Sequence, residues 1–555
     1  MELTRVRGHL TPFMVVVSLL PRRVPWASVL AATTLLAFTA VLLLNCLRLT
    51  AGRLVYTLDD PYIHMALARA LALHGTWGIT PGRFEPASSS PVWTLLQAGL
   101  GRLLGVSDVT PLVAGLVAAV SIVFFLDRAL GPYIRGTVAR AAMVTGIALM
   151  IPVPPLVFSG MEVLLHVLLV LALSWRTAKW LAGDPSPSRW TAAGVLALST
   201  LAVLTRFEST FLVAGFALVA LVRRRPAVAA ALVVGAALAV GGYATFSLAR
   251  GGMWLPNSIL LKAQVTNLDW PAAWRDFALR IPRVLAEPRS MHVVALLLAA
   301  GWLLLARPGT VPTRAAVPRL LLLAFVPAML LHVQLAALGW FFRYEAYLVA
   351  VGISAIAAAM ASEPARILGG RSRGRWGAAR VALAALVWLA LVAPVLIRAA
   401  AAVRRTPLAA RSVYEEQFQM GHFVHDYLHG RSVAVNDVGA VAYYGDARTL
   451  DLYGLASNAV TRAKLAHRFD TVFIERLCAD EGVSVALVYE SWFTGMSALP
   501  RTWRPVARWT IQNKFAPETT VTIFATDSDS AGMVRAAARE FSGRMPKRVG
   551  VEIID

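Results

Sequence analysis

Residues 54–96 read LVYTLDDPYIHMALARALALHGTWGITPGRFEPASSSPVWTLL. Asp59 and Asp60 stand directly before Pro61, and Ile63, Ala66, Leu67, Ala70 and Leu71 follow at helical spacing. An Asp at the N-cap with Pro at the first helical position starts a helix. The spacing then predicts an amphipathic helix lying along a membrane surface. Both aspartates can serve as caps, but one suffices, and the second is available to bind a proton or a metal. Gly75, Gly78, Pro81 and Gly82 supply turns. Ser88, Ser89 and Ser90 then lead through Pro91, Val92 and Trp93 into the apolar segment 91–106. Serines there can be plain helix caps. This polar stretch follows a long apolar run and is followed by several more, so it reads as an outer loop (residues 48–108) of a membrane protein.

The rest of the chain agrees. Of 555 residues, 57% are hydrophobic and only 15% charged, against about 25% charged in a soluble protein. A soluble enzyme along the whole length is excluded, as is a disordered or fibrous chain. Cys46 and Cys478 lie far apart, which argues against a disulfide framework. Eleven apolar stretches are candidate spans, at about 26–47, 109–127, 139–157, 161–178, 190–205, 208–222, 226–249, 291–306, 318–338, 345–361 and 378–398.

The net charge of +22 invites a nucleic-acid reading, and the position of the charges decides against it. With eleven spans and a cytoplasmic N-terminus, the six inner segments collect 21 basic residues, including Arg22, Arg23, Arg128, Arg140, Arg223, Arg224 and Arg225. Counting 91–106 as a further span would put most of this charge outside. The positive-inside rule therefore makes that segment a juxtamembrane helix. Residues 1–398 read as the membrane domain. Residues 399–555, on the outer face, mix strand-like runs (432–436, 483–489, 519–525) with helix-like ones (412–428, 531–541), which predicts an extracytoplasmic α/β domain. High Ala and Arg content suggests a GC-rich bacterium, and the expected location is its inner or plasma membrane.

Further polar residues fall on the same outer side. Ser159-Gly160-Met161-Glu162 opens the fourth span, and Arg206 and Glu208 sit between the fifth and sixth. Trp254-Leu255-Pro256-Asn257-Ser258 and Lys262 follow the seventh, and Phe341-Phe342-Arg343-Tyr344-Glu345 lies between the ninth and tenth. Ionisable groups at membrane depth mark function or pairing. The pairs Arg206/Glu208 and Arg343/Glu345 can each be mutual salt bridges or side chains that snorkel to the interface. His166 reads as a core residue, whereas His64 and His74 read as surface positions, His64 being close enough to the aspartates to stay of interest. Cationic side chains at this depth suit a lipid phosphate, and a nearby carboxylate suits general-base activation of a hydroxyl.

Together these residues resemble the GT-C glycosyltransferases, multi-span enzymes that use polyprenyl-phosphate-linked sugars. The resemblance is carried by Asp59-Asp60 with the helix that follows, residues 85–95 (EPASSSPVWTL), the 159–162 step, and Leu204-Thr205-Arg206-Phe207-Glu208. Leu255-Pro256-Asn257-Ser258 with Lys262, and in the tail residues 435–440 (VNDVGA) and 451–455 (DLYGL), extend it. It is nearest to the cell-wall arabinofuranosyltransferase branch, and more distant from protein mannosyltransferases and aminoarabinose transferases. The loops differ from that branch, so the sugar is not carried over.

The resemblance implies that Asp59 or Asp60 is the general base that deprotonates an acceptor hydroxyl, with inversion at the sugar. Arg343, Lys262 and Arg206 become candidate donor-phosphate binders. Glu162, His64, Ser89, Ser90, Trp93 and Asn257 become candidates for orienting the acceptor, which would be a glycan, a glycolipid or a protein. Some members of the family use a divalent cation and others do not; no compact metal-ligand spacing appears here. Asn436 and Asp437, at a strand end, can also be plain turn residues. A lipid transporter or flippase is the alternative, and would favour inverted repeats and charges near the bilayer midplane. Neither pattern is evident. A non-catalytic anchor displaying the tail would leave the acidic loop unexplained.

Overall fold

The computed structural model describes residues 25–183, 188–262, 270–305, 315–362, 375–512, 515 and 518–555. Among these, seven helices are long and apolar enough to cross a membrane, including Trp26–Leu49, Thr110–Leu130, Pro226–Leu248 and Ala316–Leu335. Four shorter apolar helices, Thr137–Met150, Arg189–Thr205, Ser209–Val222 and Ala346–Ser362, accompany them. Each of the eleven expected stretches thus contains a helix. Their outward faces carry bare Val and Leu, such as Val41, Val117, Leu238 and Leu386, each more than half exposed. Helices that are apolar on the outer as well as the inner face belong in hydrocarbon. The chain is a polytopic α-helical membrane protein with a C-terminal sheet domain.

The loop after the first span folds as its caps and turns dictate. Asp60–His74 is a helix ended by Gly75 in the left-handed conformation (φ 67°). Pro91–Leu104 is a second helix, N-capped by Ser90, whose hydroxyl accepts the Trp93 N–H at 3.4 Å. This second helix has 14 residues and carries Arg102 in its last turn.

The expected change of domain near residue 398 is not a structural break, because the last span runs as one helix, Arg375–Glu415. Apolar composition stops before the helix does, since its backbone bonds are satisfied internally in lipid or water alike.

Beyond it, six strands form one mixed sheet. They are β1 (Ser432–Val435), β2 (Arg448–Asp451), β3 (Val483–Val488), β4 (Arg504–Thr510), β5 (Thr520–Ala525) and β6 (Gly550–Ile553), in the order β2-β1-β3-β5-β4-β6. β1 is parallel to β2 and β3, and the remaining pairs are antiparallel. Side chains alternate between two cores, as strand geometry requires. Val433, Val435, Val485, Leu487 and Ile523 pack with Phe423, Trp509 and Phe541 on one face. Ala434, Ala486, Val488 and Phe524 pack with Ile474 and Cys478 on the other. Both cysteines are free and buried.

Candidate functional site

Tyr56 fixes the start of the loop. Its N–H donates to the Tyr62 hydroxyl at 3.0 Å, and its own hydroxyl donates to the Asp108 carbonyl at 2.5 Å. Gly160 makes room for that ring: it sits at φ 64°, and a Cβ there would lie 2.6 Å from a Tyr56 ring carbon. The 159–162 step is therefore packed against the acidic doublet, bringing Glu162 to the same end of the helices.

The two aspartates part company. Asp59 occupies the N-cap position but makes no side-chain bond to its own helix. It reaches across to the C-terminal domain, where its two carboxylate oxygens accept the Gly439 and Ala440 N–H groups at 2.5 and 2.7 Å. Reading it as a local cap is thus incorrect; it caps the short helix Gly439–Tyr444 instead. Burial, then the neighbouring Asp437, push its pKa well above the usual carboxylate range.

Asp60 turns the other way, with its side chain 23% exposed, and forms an ion pair with Arg343. The expected Arg343/Glu345 pair is absent. Glu345 instead accepts from Arg398 (Nη2, 2.7 Å; Nε, 3.0 Å) and lies 3.2 Å from His292 Nε2. Glu345 is the residue before the helix Ala346–Ser362 and points back into the bundle, whereas Arg343 belongs to the loop. Arg206 does pair with Glu208 (2.8 Å) and also with Glu162 (2.9 Å). The Tyr344 ring lies near both cations, 5.1 Å from the Arg343 guanidinium carbon and 5.5 Å from that of Arg206, within cation–π range.

Around this cluster is a cavity of about 360 Å³. Its polar end is lined by Asp60, His64, Ser89, Arg206, Glu208 and Arg343, and its remaining wall by apolar residues including Ile63, Phe211, Val240, Leu255 and Leu335. His64 is 3% exposed and 3.8 Å from Glu162, so the surface reading of this residue is corrected. Burial lowers its pKa, because desolvation disfavours the imidazolium. His166 is, as expected, a buried residue, with Nε2 2.7 Å from the Ser209 hydroxyl.

Ser90, Trp93 and Asn257 do not line the cavity. Ser90 caps its helix, Trp93 is buried, and the Asn257 amide donates to Asn458 in the C-terminal domain at 3.2 Å. Lys262 ends the helix Asn257–Lys262; its side chain lies outside the described residues. Among the described residues no group of three or more His, Cys, Asp or Glu is placed to hold a metal ion.

Three residues that the sequence analysis named without giving them a part in the site belong to it. Asp437 lies against Asp59 and accepts from Gln417 Nε2 at 3.0 Å, and Asn436 Oδ1 accepts the Tyr489 N–H at 3.1 Å. Neither is a plain turn residue. Tyr344, a single aromatic in an aromatic-rich loop, gave no signal of its own. The acid of residues 435–440, followed at once by Gly439 and Ala440, was the visible hint.

Residues 406–527 match a family model described as a domain of unknown function, DUF8728. No curated protein matches the sequence. Among solved structures, the chain is similar to ArnT from Cupriavidus metallidurans bound to undecaprenyl phosphate, at 13% identity and a TM-score of 0.48, covering 90% of this chain and 98% of that one. The same protein in the apo state gives 13% and 0.48, with coverages of 91% and 99%. The Archaeoglobus fulgidus oligosaccharyltransferase in complex with zinc and sulfate gives 14% and 0.44, with coverages of 93% and 74%.

Proposed function

We propose that this protein is a membrane glycosyltransferase that moves a hexosyl or pentosyl group from a polyprenyl-phosphate donor to an acceptor hydroxyl on the outer face of the membrane. One observation carries the reading: an apolar cavity ends in a carboxylate, Asp60, and two buried guanidiniums, Arg343 and Arg206. A lipid-linked phosphate has the same two-part chemistry. Its chain suits the apolar wall, and its phosphate suits the fork of an Arg.

Asp60 is the base in this reading and Asp59 is not. Both Asp59 oxygens are committed to backbone N–H groups of the C-terminal domain, while Asp60 borders the cavity. The Asp60 carboxylate takes the proton of the acceptor hydroxyl as that oxygen bonds to the anomeric carbon. The bond from that carbon to the phosphate oxygen breaks, and polyprenyl phosphate leaves with the bonding electrons. A single displacement inverts the centre. Without donor, Arg343 is paired with Asp60; a donor phosphate competes for the guanidinium and frees the carboxylate to accept a proton. Glu162 and Glu208 hold Arg206 in place. The leaving charge develops beside preorganised cations, where electrostatic stabilisation is strongest.

The test is incubation of purified protein with a panel of polyprenyl-phosphate sugars and candidate acceptors, with product analysis. A glycosylated acceptor and free polyprenyl phosphate are expected. Movement of intact lipid-linked sugar across a bilayer without transfer would indicate a flippase instead.

A further inference from the structure

A second cavity, of about 390 Å³, meets the first at Asp60, Tyr344 and Leu455, which line both. The first loop forms one side of it, and the C-terminal domain supplies Gln417, Asn436, Asp437, Tyr453 and Trp492. Its chemistry is different from that of the first cavity. No Lys or Arg lines it among the described residues, and amide, hydroxyl and carboxyl groups are found there with aromatic rings and a few aliphatic side chains, Leu58 and Val413 among them.

Three of its lining residues are almost fully buried yet keep a polar atom without a hydrogen-bond partner among the described residues. They are Ser412 Oγ, Gln417 Oε1 and Asn436 Nδ2, on side chains 2%, 2% and 4% exposed. Buried polar atoms are normally paired, and leaving one unmade is costly. One donor, one acceptor and one hydroxyl around a single cavity complement a ligand whose groups both donate and accept. The Tyr453 and Trp492 rings, with centroids 5.3 Å apart, add flat apolar surface beside them.

We propose that this second cavity is the acceptor subsite and that the acceptor is a carbohydrate. Sugar hydroxyls match the donor, acceptor and hydroxyl that these three lining side chains leave unpaired and can engage them once the side chains turn toward the cavity, and the C–H face of a sugar ring packs on the aromatic pair. An acyl chain would leave those polar atoms unsatisfied. The shared border at Asp60 delivers one acceptor hydroxyl to the base, with the donor in the adjoining cavity. The inference rests on the glycosyltransferase reading for its direction, but glycan binding itself is separable from transfer.

The experiment is binding of the purified full-length protein, without donor, to an array of pentofuranosides, hexopyranosides and N-acetylhexosamines, with acyl-chain and peptide spots alongside. Ser412→Ala removes an unpaired hydroxyl, so a merely structural serine predicts unchanged or higher melting temperature and unchanged binding. The subsite predicts glycan binding roughly fivefold weaker in Ser412→Ala and about tenfold weaker in Trp492→Ala. Arg343→Ala should still bind glycan. The proposal is overturned if no glycan binds, if binding survives both variants, or if only acyl chains or peptides bind. Glycan binding that follows these expectations without any turnover of polyprenyl-phosphate sugars would instead remove the transferase reading and leave the carbohydrate site standing. Turnover with an unchanged acceptor KM in both variants would remove the subsite alone.

Discussion

At residues 59–61 the chain turns into a helix, and the turn sends adjacent carboxylates in different directions. Asp59 crosses to the backbone of residues 439 and 440, and Asp60 meets Arg343. Asp60→Asn should therefore keep the fold while transfer falls by about 10²–10⁴-fold, the usual contribution of a general base. Turnover within twofold of wild type would reject Asp60 as that base. Asp59→Asn keeps one acceptor oxygen but turns an amide N–H toward a backbone donor. That should lower stability by about 1–3 kcal/mol, measured by denaturation in detergent, with loss of activity secondary to it. Gly439 is fixed by the same contact, since a Cβ there would lie 2.6 Å from an Asp59 carboxylate oxygen. The acidic doublet and the proline were legible as a helix start; which acid did what was not. That depended on a strand end almost four hundred residues away, and no local pattern encodes such a contact.

The loop ahead of the helix Ala346–Ser362 shows how an element is held in a strained form. Gly339, Phe341 and Phe342 have φ of 90°, 51° and 61°, and a non-glycine residue there costs about 1–2 kcal/mol. Two bonds offset this. Gly339 N–H donates to Glu345 Oε2 at 2.9 Å, and Arg398 Nη2 donates to the Phe342 carbonyl at 2.7 Å. Arg398→Met should then destabilise the protein by about 3–5 kcal/mol, because Glu345 is left buried without its cation. It should also lower kcat by releasing Arg343. A melting temperature equal to wild type would show that this brace is dispensable. Sequence spacing suggested a bond between residues 343 and 345 because they are near neighbours. Tertiary packing instead gave each a partner on another element.

The junction of the first loop with the C-terminal sheet adds a pH dependence. Burial lifts the Asp437 carboxyl to about 6. A carboxyl whose pKa is raised on folding binds its proton more tightly in the folded state, so its contribution to stability is present at low pH. That contribution is lost as pH rises from the unfolded value near 4 to about 6. Asp437→Asn should raise stability at pH 7 by on the order of 1–3 kcal/mol and change it little at pH 4. Unfolding curves at the two pH values compare the variants directly, and an equal effect at both would contradict the assignment.

At the scale of the whole molecule, one helix shows how charge is arranged across the bundle. The helix Ser209–Val222 has Glu208 at one end, beside the cavity, and the arginines 223–225 at the other. The positive-inside rule then predicts, as part of the proposal, an outer C-terminal domain. In cells, a membrane-impermeant maleimide should label Thr494→Cys without permeabilisation and Arg223→Cys only after it. The reverse pattern would invert the topology. The spans were readable because long apolar runs need no tertiary information. The sheet was half readable: β1, β3 and β5 are mostly apolar runs, whereas β2 and β6 carry charged residues and β4 begins Arg504-Pro505, too mixed to register. Several residues of the first cavity, Asp60, Arg206 and Arg343 among them, were named from sequence, but the shape of neither cavity was readable, because each is assembled from loops and helices distant in sequence.

The most direct test of the central claim is a single assay of wild-type and Asp60→Asn proteins with polyprenyl-phosphate sugars and a carbohydrate acceptor. It should measure released polyprenyl phosphate and the anomeric configuration of the product. The account predicts equimolar lipid phosphate and an inverted glycoside from wild type, and neither above background from the variant. Transfer with retention, or equal transfer by the two proteins, would contradict it.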